Sequence, residues 1–433
     1  LLRFRFLETD TIPAWSNLFL TSRSGRNFIE SHAVSSAGQH NISLSLMKTL
    51  VLPLPPIAEQ RRILASVERL LEKVSQAKER LERVLATLRR FRQAVLAAAC
   101  SGRLTADWRE INKVTIDATN VLNRLEVLRR NEWEVRELAK LAARGGAPKS
   151  DGWKERYKPP VAPKLSSDVE LPSSWVWTNV ASVARLDVGF AFRSAEFSDS
   201  GVRLLRGENM EPGSLRWLDV KYWPEEKIAN FTHLLIEAGE IILALDRPII
   251  STGLKVARAK PEDLPCLLVQ RMMRFKMFDT SLTDYIYLCL LTPSFTESLQ
   301  DSTTGSDLPH ITGTGVSEFT FSLPPDDERS EIVRRVQILF SLADRIEGQA
   351  KSALRRVEML SQAVMAKALR GELVPTEAEL ARREGRNYEP ASELLARLKA
   401  SKNGGAIPKR ARVKKPSKQA MGNGDGLREF MEG

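Results

Sequence analysis

The sequence predicts a mixed α/β (α+β) protein in which α/β modules alternate with two long antiparallel coiled-coil helices. Three observations predict this fold class. Two segments far apart in the chain align without a gap, and each carries an apolar repeat of seven residues over a run without proline. Between them lie short β-like runs broken by Gly, Pro, Asp and Asn. The whole chain is therefore a pseudo-two-fold internal repeat.

The repeat begins at two Pro-Pro junctions. Leu54-Pro55-Pro56 aligns with Leu323-Pro324-Pro325, and Glu59 aligns with Glu328. The register continues for about fifty residues, to QAVLAAACSGRL ending at Leu104 and QAVMAKALRGEL ending at Leu373. Such a gapless match indicates one structural unit used twice.

Each copy carries a stripe of apolar residues at alternating spacings of four and three. A strict repeat of this length specifies a helix-helix seam. In the first copy the ten positions are Ile63, Val67, Leu70, Val74, Ala77, Leu81, Val84, Leu88, Phe91 and Val95. In the second copy they are Ile332, Val336, Leu339, Ala343, Ile346, Ala350, Ala353, Val357, Leu360 and Val364. A helical hairpin inside a larger bundle is the alternative to this intrachain pair.

The helix ends are marked in both copies. The Pro-Pro pairs suit a first turn and exclude helix before it, and Gly102 and Gly371 suit C-terminal caps. Each helix should run for about 43 residues, or roughly 64 Å. The runs before the prolines, ISLSLMKTLV (42–51) and FSL (321–323), are predicted to be strands.

The length and the charge of the chain suggest several domains and a polyanionic partner. A chain of 433 residues exceeds one ordinary core. Its 65 Lys and Arg against 54 Asp and Glu give a net charge of +11, which favours nucleic acid, although a solvated surface would also account for it.

The three cysteines and the terminal segments indicate a cytoplasmic protein. Cys100, Cys266 and Cys289 form neither a disulfide framework nor a zinc pattern. No apolar run reaches the roughly 18 residues that a membrane span requires. The opening LLRFRFLETD lacks a signal-peptide core and an initiating Met, so we expect a truncated N-terminus.

These features predict six segments along the chain. They are the remnant of a first module (1–52), a long helix (53–104), a helical connector and linker (105–170), a second module (171–322), a second long helix (323–373) and a C-terminal extension with a basic, disordered tail after about Lys402 (374–433). In the second module we expect strands in VRLLR, EIILAL, LKVARA and CLLVQRMMRFKMF. A helix is expected over 284–299, ended or kinked by Pro293.

The chain resembles the specificity (S) subunits of type I restriction-modification systems. The resemblance rests on PLPPIAEQRR (53–62) with its weaker copy at 323–331, on both helix ends, and on the module start LPSSWVWTNV with GFAFRSAEF downstream. It implies two target-recognition domains, each followed by a long helix, with most of the first domain missing here. The second junction keeps only Glu328 of the Ile-Ala-Glu-Gln run.

A non-catalytic role is predicted for this chain. We find no Asn/Asp-Pro-Pro-aromatic motif for adenine methylation, no phosphate-binding P-loop and no nuclease cluster. The four histidines show no metal-ligand spacing, so no catalytic or metal-binding residues are predicted.

DNA reading requires polar side chains that reach base edges, supported by phosphate contacts. The candidates lie in loops of the second module, and a salt bridge or a turn is the alternative for each. They are Arg193, Ser194, Arg206, Asn209, Arg247, Thr252, Lys255, Arg271, Thr303 and His310.

The resemblance also implies partners and the cofactors that they bring. Two modification (methyltransferase) subunits would bind the helices, with S-adenosylmethionine, and two restriction/translocase subunits would join with ATP and Mg; no cofactor is expected in this chain. The predicted partner-binding residues are Glu59, Gln60, Leu64, Leu71 and Leu85. The alternatives are a half-specificity subunit that reads a palindromic site as a homodimer, and a coiled-coil scaffold that does not bind DNA.

Overall fold

The computed structural model describes residues 12–36, 39–112, 117–146, 150–163, 170–301 and 311–404, together with the single residues Phe4, Phe6 and Pro148. The predicted basic tail lies outside the described residues from position 405 onward, as do Thr303 and His310. None of the described helices is long and apolar enough to cross a bilayer.

The helices and strands follow the predicted alternation of modules and long helices. The α-helices are α1 (Ile12–Thr21), α2 (Arg23–His32), α3 (Leu44–Met47), α4 (Ile57–Cys100), α5 (Ala106–Ile111), α6 (Ala118–Ala143), α7 (Val180–Val183), α8 (Thr283–Leu290), α9 (Pro293–Asp301), α10 (Gly313–Glu318), α11 (Asp326–Leu369), α12 (Glu377–Glu384) and α13 (Ala391–Gly404). The strands are β1 (Val34–Ser36), β2 (Gln39–Asn41), β3 (Val176–Asn179), β4 (Ala184–Val188), β5 (Val202–Leu205), β6 (Met210–Glu211), β7 (Ser214–Leu215), β8 (Tyr222–Trp223), β9 (Ile241–Ala244), β10 (Ile249–Ile250), β11 (Gly253–Leu254), β12 (Val256–Arg258), β13 (Cys266–Leu268), β14 (Met272–Met277) and β15 (Thr320–Leu323).

The chain forms two compact units. The first comprises Leu1–Glu79 and Leu354–Gly433, and the second comprises Arg80–Ala353. The segments predicted from the sequence follow chain order, whereas each unit takes part of both long helices. The reason is that antiparallel helices bring the start of one and the end of the other into one core.

In the first unit the start of α4 packs against the end of α11. Ile63 and Val67 share a buried cluster with Met365 and Ala368, and Trp15 of α1 covers the cluster. In the second unit the pairing is also antiparallel, because Val95 near the end of α4 shares a core with Ile332 and Val336 near the start of α11. The predicted antiparallel coiled coil is confirmed.

The seam residues differ in burial along the helices. Ile63, Val67, Leu88, Val95, Ile332 and Val336 are buried, and Leu70, Val74, Leu81, Leu339, Val357 and Val364 are half-buried. Ile346 is 37% exposed and Leu360 is 53% exposed, whereas Ala343 and Ala350 are buried. An α-helix drifts by about 20° per heptad from a strict seven-residue pattern, so Ile346 and Leu360 turn away from the buried face of α11.

Both long helices begin and end as the repeat predicts. α4 begins directly after Pro55-Pro56 and α11 directly after Pro324-Pro325. Beyond their last turns, Gly102 and Gly371 have φ angles of 76° and 72°. This left-handed conformation stops a helix, and glycine adopts it without a steric penalty.

The predicted strand over residues 42–51 is wrong. The structure has the short helix α3 instead, and the hydroxyl of Ser43 accepts a hydrogen bond from the amide of Leu46 at 3.2 Å. At the equivalent place in the second copy, Thr312 caps α10 through the amide of Gly315 at 3.1 Å. A strand also needs a neighbour: β15 pairs with β3, but no described strand pairs with residues 48–54.

An aromatic residue anchors each junction. In the first unit the indole nitrogen of Trp15 donates to the carbonyl oxygen of Pro53 at 2.6 Å. In the second unit the hydroxyl of the buried Tyr285 donates to the carbonyl oxygen of Ser322 at 2.7 Å. Pro53 and Ser322 are equivalent in the repeat, so different side chains satisfy the same backbone acceptor.

A buried glutamate lies in the first turn of each long helix. Glu59 Oε2 accepts from the backbone amide of Glu377 at 2.7 Å. Glu328 accepts from the hydroxyl of Thr105 at 2.6 Å, from the indole of Trp175 at 2.8 Å and from the guanidinium of Arg109. In each unit the first turn of one long helix is thus fastened near the exit of the other.

The second unit contains the α/β module predicted at 171–322. Its main sheet has the strand order β12-β9-β14-β4, and a second sheet has the order β13-β5-β8. β9 is buried on both faces, because Ile241 and Leu243 belong to one core and Ile242 and Ala244 to the other. Pro293 separates α8 from α9, as predicted.

Candidate nucleic-acid interface

Loops of the main sheet meet at one edge of the second module. β14 is antiparallel to both β4 and β9, so the ends of those two strands lie beside the start of β14. Hydrogen bonds tie the loops together. The amide of Gly189 donates to the carbonyl of Met272 at 3.0 Å, and the amide of Leu245 donates to the carbonyl of Arg271 at 2.8 Å.

The exposed side chains at this edge include two arginines and one aromatic ring. We name Phe190, Arg247 and Arg271 the arginine edge, and all three are exposed. The Phe190 ring contacts the rings of Phe192 and Phe231, with centroids 5.2 and 5.1 Å away. Guanidinium groups and an exposed ring on a sheet edge can bind phosphates, hydrogen-bond base edges and stack on bases.

Glycine shapes the loop that carries Phe190. A β-carbon at Gly189 would collide with the carbonyl oxygen of Val269, so only glycine lets the two segments approach. The amide of Phe190 donates to the carbonyl of Leu268 at 3.2 Å, and its carbonyl accepts from the amide of Gln270 at 2.8 Å. The ring of Phe190 therefore projects from a backbone held on both sides.

A buried charge network supports the strands behind the edge. Arg274 is buried, and its Nη2 donates to Asp187 Oδ2 at 3.0 Å, while Nη1 donates to the carbonyl of Leu235 at 2.7 Å. Burial raises the pKa of Asp187, but the hydrogen bonds and charges of Arg185 and Arg274 outweigh it, and the net pKa is lowered. The network joins β4 to β14 immediately below the arginine edge.

The predicted DNA-reading residues that the structure describes differ in their exposure. Arg193, Ser194, Arg247, Thr252 and Arg271 are exposed. Arg193 and Ser194 follow Phe190 in the same loop. Thr252, at the tip of the β10–β11 hairpin, borders a groove that also contains Pro212 and Arg92.

Three other predicted readers have structural roles. Asn209 is buried. Its side chain accepts a hydrogen bond from the amide of Arg206 and donates one to the carbonyl of Arg216, both at 3.2 Å. Arg206 is bound to Glu208 at 2.5 Å and to Asp219 at 3.1 Å. Lys255 Nζ donates to the carbonyl of Gly207 at 3.0 Å. The prediction of base contact is therefore wrong for Asn209, while Arg206 and Lys255 serve internal contacts.

The predicted partner contacts Glu59 and Gln60 are not surface residues. Both are buried by the chain itself, and Gln60 Nε2 donates to the carbonyl of Pro55 at 2.8 Å. They stabilise the first turn of α4, which corrects the prediction that they contact another subunit. Leu64, Leu71 and Leu85 are half-buried, and the first two pack against the core of the first unit.

The sequence reasoning missed Phe190 and Asp246. Phe190 lies in GFAF, which contributed only to the family resemblance, downstream of the module start, although a glycine before an aromatic residue in a loop indicates a close backbone approach. Asp246 Oδ2 accepts from Arg271 Nη1 at 2.7 Å. These residues are far apart in sequence, and no local pattern indicates this pair.

The described residues contain no group of three or more His, Cys, Asp or Glu side chains arranged to hold a metal ion.

Known proteins resemble this chain, and the second module in particular. Residues 172–356 match the family model described as the type I restriction modification DNA specificity domain. The type I restriction enzyme EcoAI specificity subunit of Escherichia coli is 27% identical over 346 residues, which are 75% of this chain and 59% of that protein. The EcoDI specificity subunit of Escherichia coli is 29% identical over 320 residues, or 74% of this chain and 62% of that protein.

Solved structures share the fold. A chain described under "Structural basis underlying complex assembly and conformational transition of the type I R-M system" superimposes with a TM-score of 0.51 and 17% identity, over 83% of this chain and 71% of that chain. The present chain spans about three fifths of the length of the two curated relatives, 59% and 62%. Residues 172–356 therefore match the family of type I restriction modification DNA specificity domains, and the chain is similar to type I restriction enzyme specificity subunits over about three quarters of its length.

Proposed function

We propose that this chain is a non-catalytic, sequence-specific DNA-binding subunit that directs adenine methylation and restriction by partner subunits. The observation that carries the proposal is the arginine edge, which lies within the segment that matches the specificity-domain family. Arginine can hydrogen-bond guanine O6 and N7 through two nitrogens, and it also binds phosphate. An exposed ring beside such arginines adds a stacking surface.

The partners would supply the chemistry. Two modification subunits would bring S-adenosylmethionine and methylate an adenine after extruding it from the duplex, and two restriction/translocase subunits would bring ATP and Mg. The chain would act in the cytoplasm. This division of roles agrees with the names of the relatives, which are specificity subunits.

An exposed apolar stripe on α11 supports a role in assembly. Ile338 is 55% exposed and Leu342 is 42% exposed, and Ile346 continues the row at the same spacing of four residues. Residues four apart lie on one face of a helix, and contiguous exposed apolar surface marks protein contacts. The stripe is thus a candidate for the surface that contacts a partner subunit, a role that the buried Glu59 and Gln60 cannot have.

The proposal is tested by mapping methylated adenines genome-wide in cells that carry the modification subunit encoded with this chain. One recurrent sequence motif should be methylated when the chain is present and should remain unmodified when it is deleted. A purified complex should bind duplexes of that motif with a log-log salt slope of about −0.9 for each phosphate contact. Methylation that does not depend on the chain would refute the proposal.

A further inference from the structure

The two arginines of the arginine edge have strained backbones. Arg247 has a φ of 44° and Arg271 a φ of 65°, and among the described residues these are the only non-glycine positions with positive φ. Residues with a β-carbon rarely adopt this region because the β-carbon crowds the following carbonyl oxygen. Both strained residues are exposed arginines, so their side chains make no contribution to a core.

The two arginines are close in space although 24 positions apart in sequence. The carbonyl of Arg271 accepts from the amide of Leu245 at 2.8 Å, and its Nη1 donates to Asp246 Oδ2 at 2.7 Å. Arg247 directly follows Asp246. The loop that contains Arg247 therefore also binds Arg271, through a backbone hydrogen bond from Leu245 and an ion pair with Asp246.

A turn with this geometry would be formed more easily by glycine. The chain instead has arginine at both positions, which indicates that the side chains are needed where the backbone places them. Strained residues that the surrounding structure holds in place occur at functional sites, and the observed outlier motivates the hypothesis of function.

The ion pair also limits what Arg271 can bind. Its side chain is 63% exposed, so the side chain remains accessible from solvent while Nη1 is paired with Asp246. The adjacent carboxylate of Asp246 cancels the charge that would attract phosphate and repels phosphate oxygens. A guanidinium held in this way is suited to the two acceptors of a base edge, and guanine O6 and N7 provide that pair.

We propose that Arg271 reads a guanine in the site recognised by this module and that Asp246 is its positioning residue, with Arg247 as a neighbouring cation for the DNA backbone. This inference rests on the proposed function and deepens it. It selects one specificity-determining residue from the exposed arginines and assigns a role to a carboxylate.

The test uses the full chain in complex with its modification subunits and the variants Arg271→Gly, Arg271→Lys and Asp246→Asn. Arg216→Ala is the matched control, because Arg216 is also an exposed, paired arginine of the module, bound to Glu211 at 2.6 Å, but lies outside the arginine edge. Binding is measured on the cognate duplex and on duplexes with each G·C pair replaced in turn. Thermal midpoints are measured in parallel.

Arg271→Gly should keep or raise the thermal midpoint, because glycine relieves the strain. It should weaken cognate binding about tenfold or more and abolish discrimination at one G·C position. Arg271→Lys should weaken the same discrimination at unchanged charge, since one flexible ammonium replaces the two nitrogens of a planar guanidinium. Asp246→Asn should reduce discrimination at that position without weakening binding to mismatched duplexes, and Arg216→Ala should behave like the unmodified chain.

Two results would overturn the inference while leaving the proposed function intact. They are a thermal midpoint lowered by Arg271→Gly, which would assign Arg271 to the fold, and an equal loss on all duplexes, which would make it a phosphate contact. If the unmodified complex prefers no sequence at all, the proposed function itself fails.

Discussion

The buried carboxylate of Glu328 provides the sharpest test of how the long helices are held. Glu328 is fully buried and accepts hydrogen bonds from Thr105, Trp175 and the guanidinium of Arg109. Replacement by alanine leaves all three donors without this acceptor. Removing one partner of a buried ion pair costs about 3–5 kcal/mol because the remaining charge is uncompensated, and the 20% exposure of Arg109 places the cost here near the lower end. We expect Glu328→Ala to lower the free energy of unfolding by an amount in this range.

The internal repeat provides a matched control. Glu59 is the equivalent residue of α4, but within the described part of the chain it accepts a single hydrogen bond, from the backbone amide of Glu377. Leaving one buried amide unsatisfied costs about 1–3 kcal/mol. Glu59→Ala should therefore cost less than Glu328→Ala, although both substitutions delete the same atoms from the same turn of equivalent helices.

Urea unfolding followed by circular dichroism measures both losses, and hydrogen exchange with mass spectrometry locates them. Glu328→Ala should increase exchange in α5, whose Arg109 loses its partner, and leave the amide of Glu377 unchanged. Glu59→Ala should show the opposite pattern. Equal destabilisation by the two variants, or a loss below about 1 kcal/mol for Glu328→Ala, would refute the assignment of the energy to the charged pair.

Three further predictions follow from other parts of the second unit. Gly102→Ala should lower the free energy of unfolding by more than the roughly 1–2 kcal/mol of a left-handed alanine, because the added β-carbon would lie 2.7 Å from a proline ring. Gly145 has a similar φ but open space around it, so Gly145→Ala should cost only those roughly 1–2 kcal/mol in thermal unfolding. Tyr285→Phe should cost about 1–2 kcal/mol by leaving the carbonyl of Ser322 unsatisfied, and an unchanged urea midpoint would contradict this. The pKa of Asp187 is lowered in the fold, so its ionisation stabilises the protein above its unfolded pKa of about 4, and this contribution is lost as the pH falls through the folded pKa. The thermal midpoint of Asp187→Asn should therefore decrease less between about pH 5 and pH 3 than that of the unmodified chain. Parallel curves of thermal midpoint against pH would contradict the argument.

Much of the candidate site could be predicted only as a set of loops. The sequence indicated that polar residues beside glycine or basic positions could reach DNA, and the exposed Arg193, Arg247 and Arg271 came from that reasoning. It could not separate them from Arg206 and Asn209, since the same residue types form internal bonds when a loop folds back on itself. Which arginine faces solvent depends on partners that lie far away in the chain.

The sequence by itself determined the two long helices, their Pro-Pro starts, their glycine ends and the position of the break at Pro293. These features depend on local rules, because the apolar period, the fixed φ of proline and the freedom of glycine act within a few residues. Tertiary structure decided the rest. Residues 42–51 alternate like a strand but have no described neighbour to pair with, and the IAEQ run looks like surface chemistry although Glu59 and Gln60 are buried. Pairing and burial are supplied by segments remote in sequence, so only the folded chain shows which local preferences are realised.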